Sequence, residues 1–340
     1  MKERHIDTTR GWVAYQRQRY YCRKCKKGYY PFDDQLHLSK HSGMSHKKER
    51  LLGLLSVHMP YRDVEVVYQQ LSGCVAGRMS VHRIVQRLGK EEAEAINETQ
   101  SIAKQDKLHA GGDGVLLRIR GEGWKEGKVA TCYGLKADGE AGQTYYSGTL
   151  GDRKKLGEKL YRLAGRPNLE ETKSMAFVSD AAEWLSEIQQ LHFPSATAIV
   201  DFWHASQYVW KVADRFYGQG SARTQRWVEE KIQLLKEGNQ KSLQSGFGKM
   251  KGKTAEQKKA LKDSRRYFRN HGHKMLYPRY REQGFHIGSG VTEAACKLVI
   301  QTRFKRAGMQ WSRPGAENLF QLRLCYLNGH WQKLAEQSLN

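Results

Sequence analysis

This sequence has no long apolar run and is poor in cysteine and proline. No segment approaches the roughly 20 apolar residues that span a bilayer, and the first residues after Met1 lack a signal-peptide core. Of the six cysteines in 340 residues, only Cys22 and Cys25 are close together, which excludes a disulfide framework. These absences predict a cytoplasmic protein in a reducing compartment, with no membrane partner.

Acidic residues are outnumbered. Lys and Arg total 58 against 35 Asp and Glu, so the formal net charge is +23. The summed field of such a chain attracts polyanions, and nucleic acid is the expected partner. The alternative is a basic protein without that role. The length of 340 residues allows two or three domains.

The N-terminal segment, residues 1–40, contains a C-x-x-C pair. Cys22 and Cys25 precede Gly28 and are flanked by bases, which is the pattern of half a zinc knuckle. His37 and His41 offer a second pair of ligands. The alternative is that the second pair lies upstream, in a longer chain. Residues 1–40 are therefore predicted to form a zinc-ribbon-like segment that binds Zn²⁺ through Cys22 and Cys25.

Residues 41–108 have helical periodicity. A Gly-containing break is followed by a predicted helix from Val81 to about Gly89, with Ser80 as its N-cap. A helix, a short turn and a second, basic helix are the outline of a helix-turn-helix DNA-binding motif. The alternative is a set of structural helices with solvated charges. The side chains predicted to contact nucleic acid are His82, Arg83 and Arg87.

Residues 109–217 change to alternating strands and helices. Three strands come first, followed by helix, strand, helix, strand and helix, an order that predicts a ribonuclease-H-like α/β fold with a mixed sheet. The predicted strands cover residues 109–120, 128–136, 143–147, 175–179 and 196–200. Asp113, Asp180 and Asp201 lie in or after three of these strands, and ligands bind at that edge of such a sheet.

The remaining chain divides into two parts. Residues 218–285 are densely basic and predict an all-helical insertion, which would make DNA binding strongly salt-dependent. Residues 286–340 include Gly288, Ser289 and Gly290 near their start, and Ser289 is predicted to cap a helix that carries Glu293. Four cations follow along that helix and suit phosphates: Lys297, Arg303, Lys305 and Arg306.

Three acids at equivalent ends of predicted elements suggest a metal site. Asp113, Asp180 and Glu293 offer the hard oxygen ligands that Mg²⁺ or Mn²⁺ prefers, and two such ions can promote an in-line displacement at phosphorus. Each acid has a structural alternative, because Asp113 could sit in a turn and Asp180 or Asp201 could cap a helix. Asp201 also competes with Asp180 for the second catalytic position.

His204 lies three residues after Asp201, so the two share a helix face. His204 would contact the scissile phosphate or orient a carboxylate, and the alternative is a buried histidine satisfied by Asp201.

Seven short motifs carry a family resemblance that covers about residues 12 to 327. They are Gly112-Asp113-Gly114, Gly123-Trp124-Lys125-Glu126-Gly127-Lys128, Val178-Ser179-Asp180-Ala181-Ala182-Glu183-Trp184, Phe193-Pro194, Asp201-Phe202-Trp203-His204, Gly288-Ser289-Gly290-Val291-Thr292-Glu293 and Gly308-Met309-Gln310-Trp311-Ser312. With these motifs, the sequence resembles bacterial insertion-sequence transposases of the DDE type, in the mutator-like superfamily and nearest to its Kra-type members.

The resemblance implies a ribonuclease-H-like catalytic core with a helical insertion, and a metal-binding triad of Asp113, Asp180 and Glu293. It implies a transposase that cuts DNA at the terminal inverted repeats of its own element and joins the ends to target DNA. A dimer or higher oligomer on double-stranded DNA is expected, since two ends must be held together, in a bacterial, nucleoid-associated setting. The alternatives are a non-catalytic DNA-binding relative and another ribonuclease-H-like nuclease.

Overall fold

The computed structural model describes residues 1–36, 38, 43–172 and 174–336, with side chains as far as residue 334. The N-terminal part is built from two small antiparallel hairpins. Their strands are β1 Lys2–Thr8, β2 Gly11–Arg17, β3 Tyr20–Cys22 and β4 Lys27–Tyr29.

Five helices follow the hairpins in the part of the chain that the structure describes. They are α1 Pro31–Gln35, α2 His46–His58, α3 Tyr61–Ser72, α4 Arg78–Arg87 and α5 Glu94–Thr99. A π-helical stretch, Leu88–Ala93, joins α4 to α5. Helix α4 begins before the predicted Val81, with Gly77 at its N-cap, so the prediction that Ser80 caps it is wrong. The extended backbone of Gly77 turns the chain into the helix, and its carbonyl already accepts from the Ser80 amide at 2.8 Å.

Helices α2 to α5 share one hydrophobic cluster with the rest of the chain. Leu52 of α2 and Val81 of α4 belong to the same cluster of buried side chains as Val115, Ile300 and Leu319. The segment 41–108 is therefore packed on the central sheet and the C-terminal helices through a common core.

The centre of the molecule is a five-stranded mixed sheet with strand order β7-β6-β5-β8-β9. The strands β5, β6 and β7 are antiparallel, while β8 and β9 run parallel to β5. The predicted order of three antiparallel strands followed by parallel ones is confirmed, although β6 begins earlier than predicted. The bounds are β5 Lys107–Ile119, β6 Gly123–Leu135, β7 Ala141–Thr149, β8 Ser174–Ser179 and β9 Thr197–Val200.

Helices cover both faces of this sheet. On one face, Leu108 and Ala130 pack against Leu156 and Ile188 from the crossover helices. On the other face, Val115 and Val129 pack against the C-terminal helices. The crossover helices are α6 Arg153–Ala164, α7 Arg166–Glu171 and α8 Glu183–His192, and the last strand is followed by α9 Phe202–Tyr217.

The predicted helical insertion packs against α9. Val209 of α9 lies in one buried cluster with Val228, Leu243 and Phe268 of the insertion. The segment is helical as predicted, and Thr254 and Gln257 form a capping box at the start of its longest helix. The helices are α10 Ala222–Lys236, α11 Gln240–Lys249, α12 Ala255–His271 and α13 Tyr277–Glu282.

The C-terminal part returns to the sheet. Its helices are α14 Gly290–Cys296, α15 Thr302–Phe304, α16 Arg313–Leu327 and α17 Trp331–Glu336. A π-helical stretch, Lys297–Gln301, makes α14 and α15 one continuous rod. Within the described residues, no helix is both long and apolar enough to pass through a membrane.

Candidate active site

The ladder register brings three aspartates to the same level. Strand β5 pairs Gly111 with Val178 of β8, and β8 pairs Ser179 with Val200 of β9. Two residues further along the β5–β8 pairing, Asp113 lies beside Asp180. One residue further along the β8–β9 pairing, Asp180 lies beside Asp201. Residues paired in this way point to the same face of a sheet, here the face covered by α14.

Asp113 lies within β5, so the alternative that it sits in a turn is wrong. Its Oδ1 accepts from the Gly114 amide at 2.7 Å. Burial raises the pKa of Asp113, and the negative charges of Asp180 and Glu293 raise it further, while hydrogen bonds from Gly114 and Cys296 oppose the shift. The three predicted acids are thus close enough for the carboxylate of Asp113 to respond to the other two.

Asp180 follows β8 directly. Its Oδ1 accepts from the Ala182 amide at 2.8 Å, and Ala182 rather than Asp180 occupies the N-cap position of α8. The alternative that Asp180 caps this helix is therefore wrong. Between them, Ala181 has a φ of 70°, a left-handed conformation that is costly for a residue with a Cβ. This strained turn directs Asp180 into a cleft instead of into the helix.

Asp201 is the N-cap of α9, as its structural alternative predicts. The side chain is 1% exposed. One carboxylate oxygen accepts from the backbone amide of His204 at 2.5 Å, and the other accepts from the backbone amide of Ser289. Both oxygens of Asp201 therefore bind backbone, and the residue holds the turn ahead of Glu293 to the end of β9.

Glu293 is exposed on the first turns of α14. Ser289 stands at the N-cap position but its side chain makes no cap hydrogen bond, so the predicted capping by Ser289 is wrong. Its hydroxyl donates instead to Oε1 of Glu293 at 3.3 Å. Two further contacts dock α14 on the sheet: the hydroxyls of Thr292 and Thr131 lie 2.9 Å apart, and Cys296 contacts Asp113.

Gly111 permits this close docking. A Cβ added there would lie 2.5 Å from the carbonyl oxygen of Val178 and 3.1 Å from the hydroxyl of Thr292. No side chain fits in that space without moving strand β8 or helix α14. The glycine therefore lets α14, and Glu293 with it, approach the sheet edge.

His204 lines a cleft of about 360 Å³ beside Asp180. Its ring lies 5.9 Å from that of Tyr208 and 6.1 Å from that of Tyr267. The carboxylate of Asp201 accepts a hydrogen bond from the backbone amide of His204. The alternative of a buried histidine whose imidazole is satisfied by Asp201 therefore does not hold. The hydroxyl of Tyr267 donates to the Asp180 carbonyl at 3.5 Å.

The described side chains are not arranged as a ready-made metal site. Throughout residues 1–36, 38, 43–172 and 174–336, no group of three or more His, Cys, Asp or Glu side chains is arranged to hold an ion. Cys22 and Cys25 lie at the tip of the β3–β4 hairpin. Hydrogen bonds from Cys25 and from the Lys24 backbone lower the pKa of Cys22. His37 and His41 lie outside the described residues.

The basic residues of α4 differ in their surroundings. Arg83 is exposed. His82 is half-buried against the edge of the Tyr61 ring at 5.6 Å, and burial lowers its pKa. Arg87 bridges Glu49 at 2.6 Å and Glu92 at 3.1 Å, so its charge is paired inside the protein.

The four cations after Glu293 divide in the same way. Lys297 and Lys305 are exposed. Arg306 is exposed but donates to the His58 carbonyl at 3.0 Å. Arg303 is 1% exposed, donates to the Ser56 carbonyl at 2.8 Å, and packs against the Trp311 ring. Arg303 therefore does not present its charge to a DNA strand in this structure.

Residues 163–338, more than half of the chain, match the uncharacterised protein family UPF0236. The chain belongs to this family. The match includes Asp180, Asp201, His204 and Glu293, whereas Asp113 and the N-terminal half lie outside it. No curated protein matches the UPF0236 chain at a significant level.

Several residues that build this site carried no recognisable signal in the sequence. Thr292 and Cys296 lie in a short helix, and helical spacing alone does not tell which of its residues face the sheet. The stacking of Tyr208 on Tyr267, at 3.8 Å between ring centres, joins α9 to α12 across about sixty residues of chain and has no local pattern.

Proposed function

We propose that this UPF0236 chain is a DNA transposase of the DDE type. It cleaves DNA at the terminal inverted repeats of an element and transfers the strands to target DNA, with Mg²⁺ or Mn²⁺ as the cofactor. The observation that carries the proposal is the register of the sheet, which sets Asp113 level with Asp180 on the face covered by α14, the helix that carries Glu293. Burial raises the pKa of Asp113, and the charges of Asp180 and Glu293 raise it further, as is typical of a cation site.

The mixed sheet supports the same proposal. Its order, β7-β6-β5-β8-β9, with Asp113 in the central strand and Asp180 after the neighbouring parallel strand, suits a ribonuclease-H-like core. The helical insertion between α9 and α14 is in keeping with the mutator-like relatives that the sequence resembles.

Each residue of the site has a defined part in this mechanism. Asp113, Asp180 and Glu293 would hold the divalent ions, which when bound supply Lewis-acid activation of the attacking oxygen and stabilise the leaving one. Gly114 and Cys296 orient the carboxylate of Asp113 through hydrogen bonds. Asp201 positions Glu293 through Ser289.

His204 and the exposed cations complete the proposed site. The imidazole of His204 faces the cleft beside Asp180, where it can contact a scissile phosphate. Arg83, Lys297 and Lys305 are exposed and can bind phosphates of double-stranded DNA. The enzyme would act in the bacterial cytoplasm as a dimer, since two element ends must be joined together. Cys22 and Cys25 would supply two ligands of a Zn²⁺ site.

The test is strand cleavage and joining on DNA that carries the inverted repeats flanking the coding region. We expect Mg²⁺-dependent nicking and joining by the wild type, and none by Asp113→Asn or Glu293→Gln, with duplex binding retained in both. Asp138→Asn is the matched control, because Asp138 is exposed in the β6–β7 turn. Cleavage by the Asp113→Asn variant would refute the assignment. Binding without cleavage by the wild type would indicate a non-catalytic relative, and hydrolysis without joining another nuclease.

A further inference from the structure

Two adjoining depressions run from Asp180 across the helical insertion. The first is the cleft of about 360 Å³ between α9 and α12, which contains Asp180 and His204. The second, of about 550 Å³, follows α12 toward the loop that precedes it. Arg266 lines both, so the two depressions meet at this side chain on the exposed face of α12, and we call the two together the groove.

Exposed cations line this groove along its length. Lys211 and Arg266 flank the first part, and both lie near Asp263, at 3.5 and 3.6 Å. The exposed cations of the second part are Lys251, Lys258, Lys262 and Arg269. Because Lys258, Lys262 and Arg266 are spaced by four residues, they recur about every 6 Å along one face of α12. This spacing produces a row of charge instead of a single basic point.

Arg265 has a different part in the groove. Its guanidinium donates to the carbonyls of Phe247 at 3.0 Å and Met250 at 2.8 Å. These bonds hold the loop after α11 against α12. The loop forms one wall of the second depression, with Lys251 on it. The groove is therefore shaped by specific hydrogen bonds of the insertion and not only by the chance exposure of lysines.

Rings line the end nearest Asp180. Tyr208 and Tyr267 are stacked with an interplanar angle of 13°, and His204 and His271 flank them. Burial lowers the pKa of His271, which disfavours a charge on this ring. Planar rings at one end and a row of cations at the other are the two parts of a single-strand nucleic-acid site, in which bases stack and phosphates pair with cations.

We propose that this groove binds a single strand of DNA that leaves the active site over α12. Unpaired bases lie against Tyr208 and His271 near Asp180, and the phosphates that follow contact Lys262, Lys258 and Arg269. The inference rests on the proposed function, because it takes DNA as the substrate. A cleft of a few hundred Å³ has the size of sites that hold small molecules, which suits one or two unpaired nucleotides.

The test measures binding of a fluorescent oligothymidylate of about 15 nucleotides by anisotropy, in EDTA and over a range of salt concentrations. The groove variant carries Lys258→Ala, Lys262→Ala and Arg269→Ala. The matched control carries Lys236→Ala, Lys241→Ala and Lys259→Ala, three exposed cations of the same insertion that line neither depression. Both variants lose the same charge, so a general field effect weakens both equally.

We expect the groove variant to bind at least tenfold more weakly at low salt, with a log-log salt slope reduced by about 2, since each single-strand phosphate contact contributes about 0.7. The control should retain the wild-type slope. Equal losses in the two variants would overturn the groove assignment, and so would a groove variant that binds like the wild type.

A second measurement separates this inference from the proposed function. The binding assay contains no divalent ion and requires no cleavage. If the groove variant loses single-strand binding while the wild type cuts no DNA, the transposase proposal fails and the groove stands. If the wild type cuts and joins while the groove variant binds the oligothymidylate normally, the groove assignment fails and the transposase proposal stands.

Discussion

The backbone amide of Ser289 donates a hydrogen bond to the buried carboxylate of Asp201. The bond joins the end of β9 to the turn ahead of α14, although 88 residues separate the two in the chain. The amide of Phe202 donates to the Ile287 carbonyl at 2.9 Å and reinforces the same junction. The position of Glu293 therefore depends on the end of the sheet and not only on its own short helix.

Replacing Asp201 by alanine should destabilise the protein and impair the site. The change removes the N-cap of α9 and leaves the Ser289 amide without its acceptor, which together cost about 2–3 kcal/mol. Urea unfolding measures the loss. Asp214→Ala, in the same helix, is the control and should cost less than about 1 kcal/mol. Equal stability of Asp201→Ala and the wild type would show that the junction does not hold.

Asp113→Asn should stabilise the metal-free protein at neutral pH. The raised pKa of Asp113 means that the folded state holds the proton more tightly than the unfolded chain, whose carboxyl titrates near pH 4. Ionisation therefore lowers stability as the pH rises from about 4 through the raised pKa. The variant avoids that loss, which is on the order of 1 kcal/mol because the group is partly solvated.

Thermal unfolding in EDTA at pH 7 and pH 4 checks this prediction. The variant should unfold at a higher temperature than the wild type at pH 7, and the difference should shrink at pH 4. The same substitution at exposed Asp106 serves as the control and should change neither midpoint. A lower midpoint for Asp113→Asn at pH 7 would mean that the neighbouring carboxylates do not repel one another.

The strands and the acids could be predicted because their signals are local. A short apolar strand ending in an acid is visible at Asp180 and at Asp201, and the register that sets them level follows from parallel pairing. The capping of α9 by Asp201 could also be anticipated, but its bond to Ser289 could not, because it joins two segments that share no sequence pattern.

The burial of a cation could not be predicted from the sequence. Arg303 follows the helical spacing of an exposed basic face, yet it lies between Tyr61 and Trp311, with its ring contacts at 5.5 and 5.2 Å. The charge of an arginine predicts an exposed side chain, because burying a cation without partners costs free energy. The tertiary contacts that offset this cost cannot be read from the sequence. The β1–β2 hairpin was not predicted, because half of its strand residues are exposed and leave no alternating apolar pattern.

His109 should make the fold sensitive to acid. The side chain is fully buried, neither ring nitrogen has a hydrogen-bond partner in the described part of the chain, and burial lowers the pKa of His109 to about 3. The positive charge of Lys107 and the neighbouring His286 act in the same direction. The unfolded chain takes up this proton near pH 6.5, so stability falls as the pH drops from about 6.5 toward 3.

Because of His109, the free energy of unfolding measured in urea should be about 1–2 kcal/mol lower at pH 5 than at pH 7. His109→Phe, which keeps a ring beside Tyr133, should remove this difference. His273→Phe is the control, because His273 is exposed. If His109→Phe and the wild type lose the same stability between the two pH values, His109 does not titrate as inferred.

Arg323 should hold the N-terminal helices to the C-terminal part of the chain. Its guanidinium is 4% exposed, donates to the Val57 carbonyl at the end of α2 at 2.5 Å, and donates to the Val299 carbonyl in the π-helical stretch at 2.9 Å. Burial lowers the pKa of Arg323 to about 10, which still leaves it charged at neutral pH. Methionine fills a similar volume but leaves these buried carbonyls unpaired, at a cost of about 3 kcal/mol.

The variant Arg323→Met should therefore unfold at lower urea, in one transition seen alike by tryptophan fluorescence and by circular dichroism, because α2 to α5 share their hydrophobic cluster with the sheet. Arg306→Met is the matched control. Its guanidinium is exposed and donates to the His58 carbonyl of the same helix end, so its loss should cost less than about 1 kcal/mol. Two separate transitions in the wild type, or equal costs for the two variants, would show that the N-terminal helices are a unit with a stability of their own.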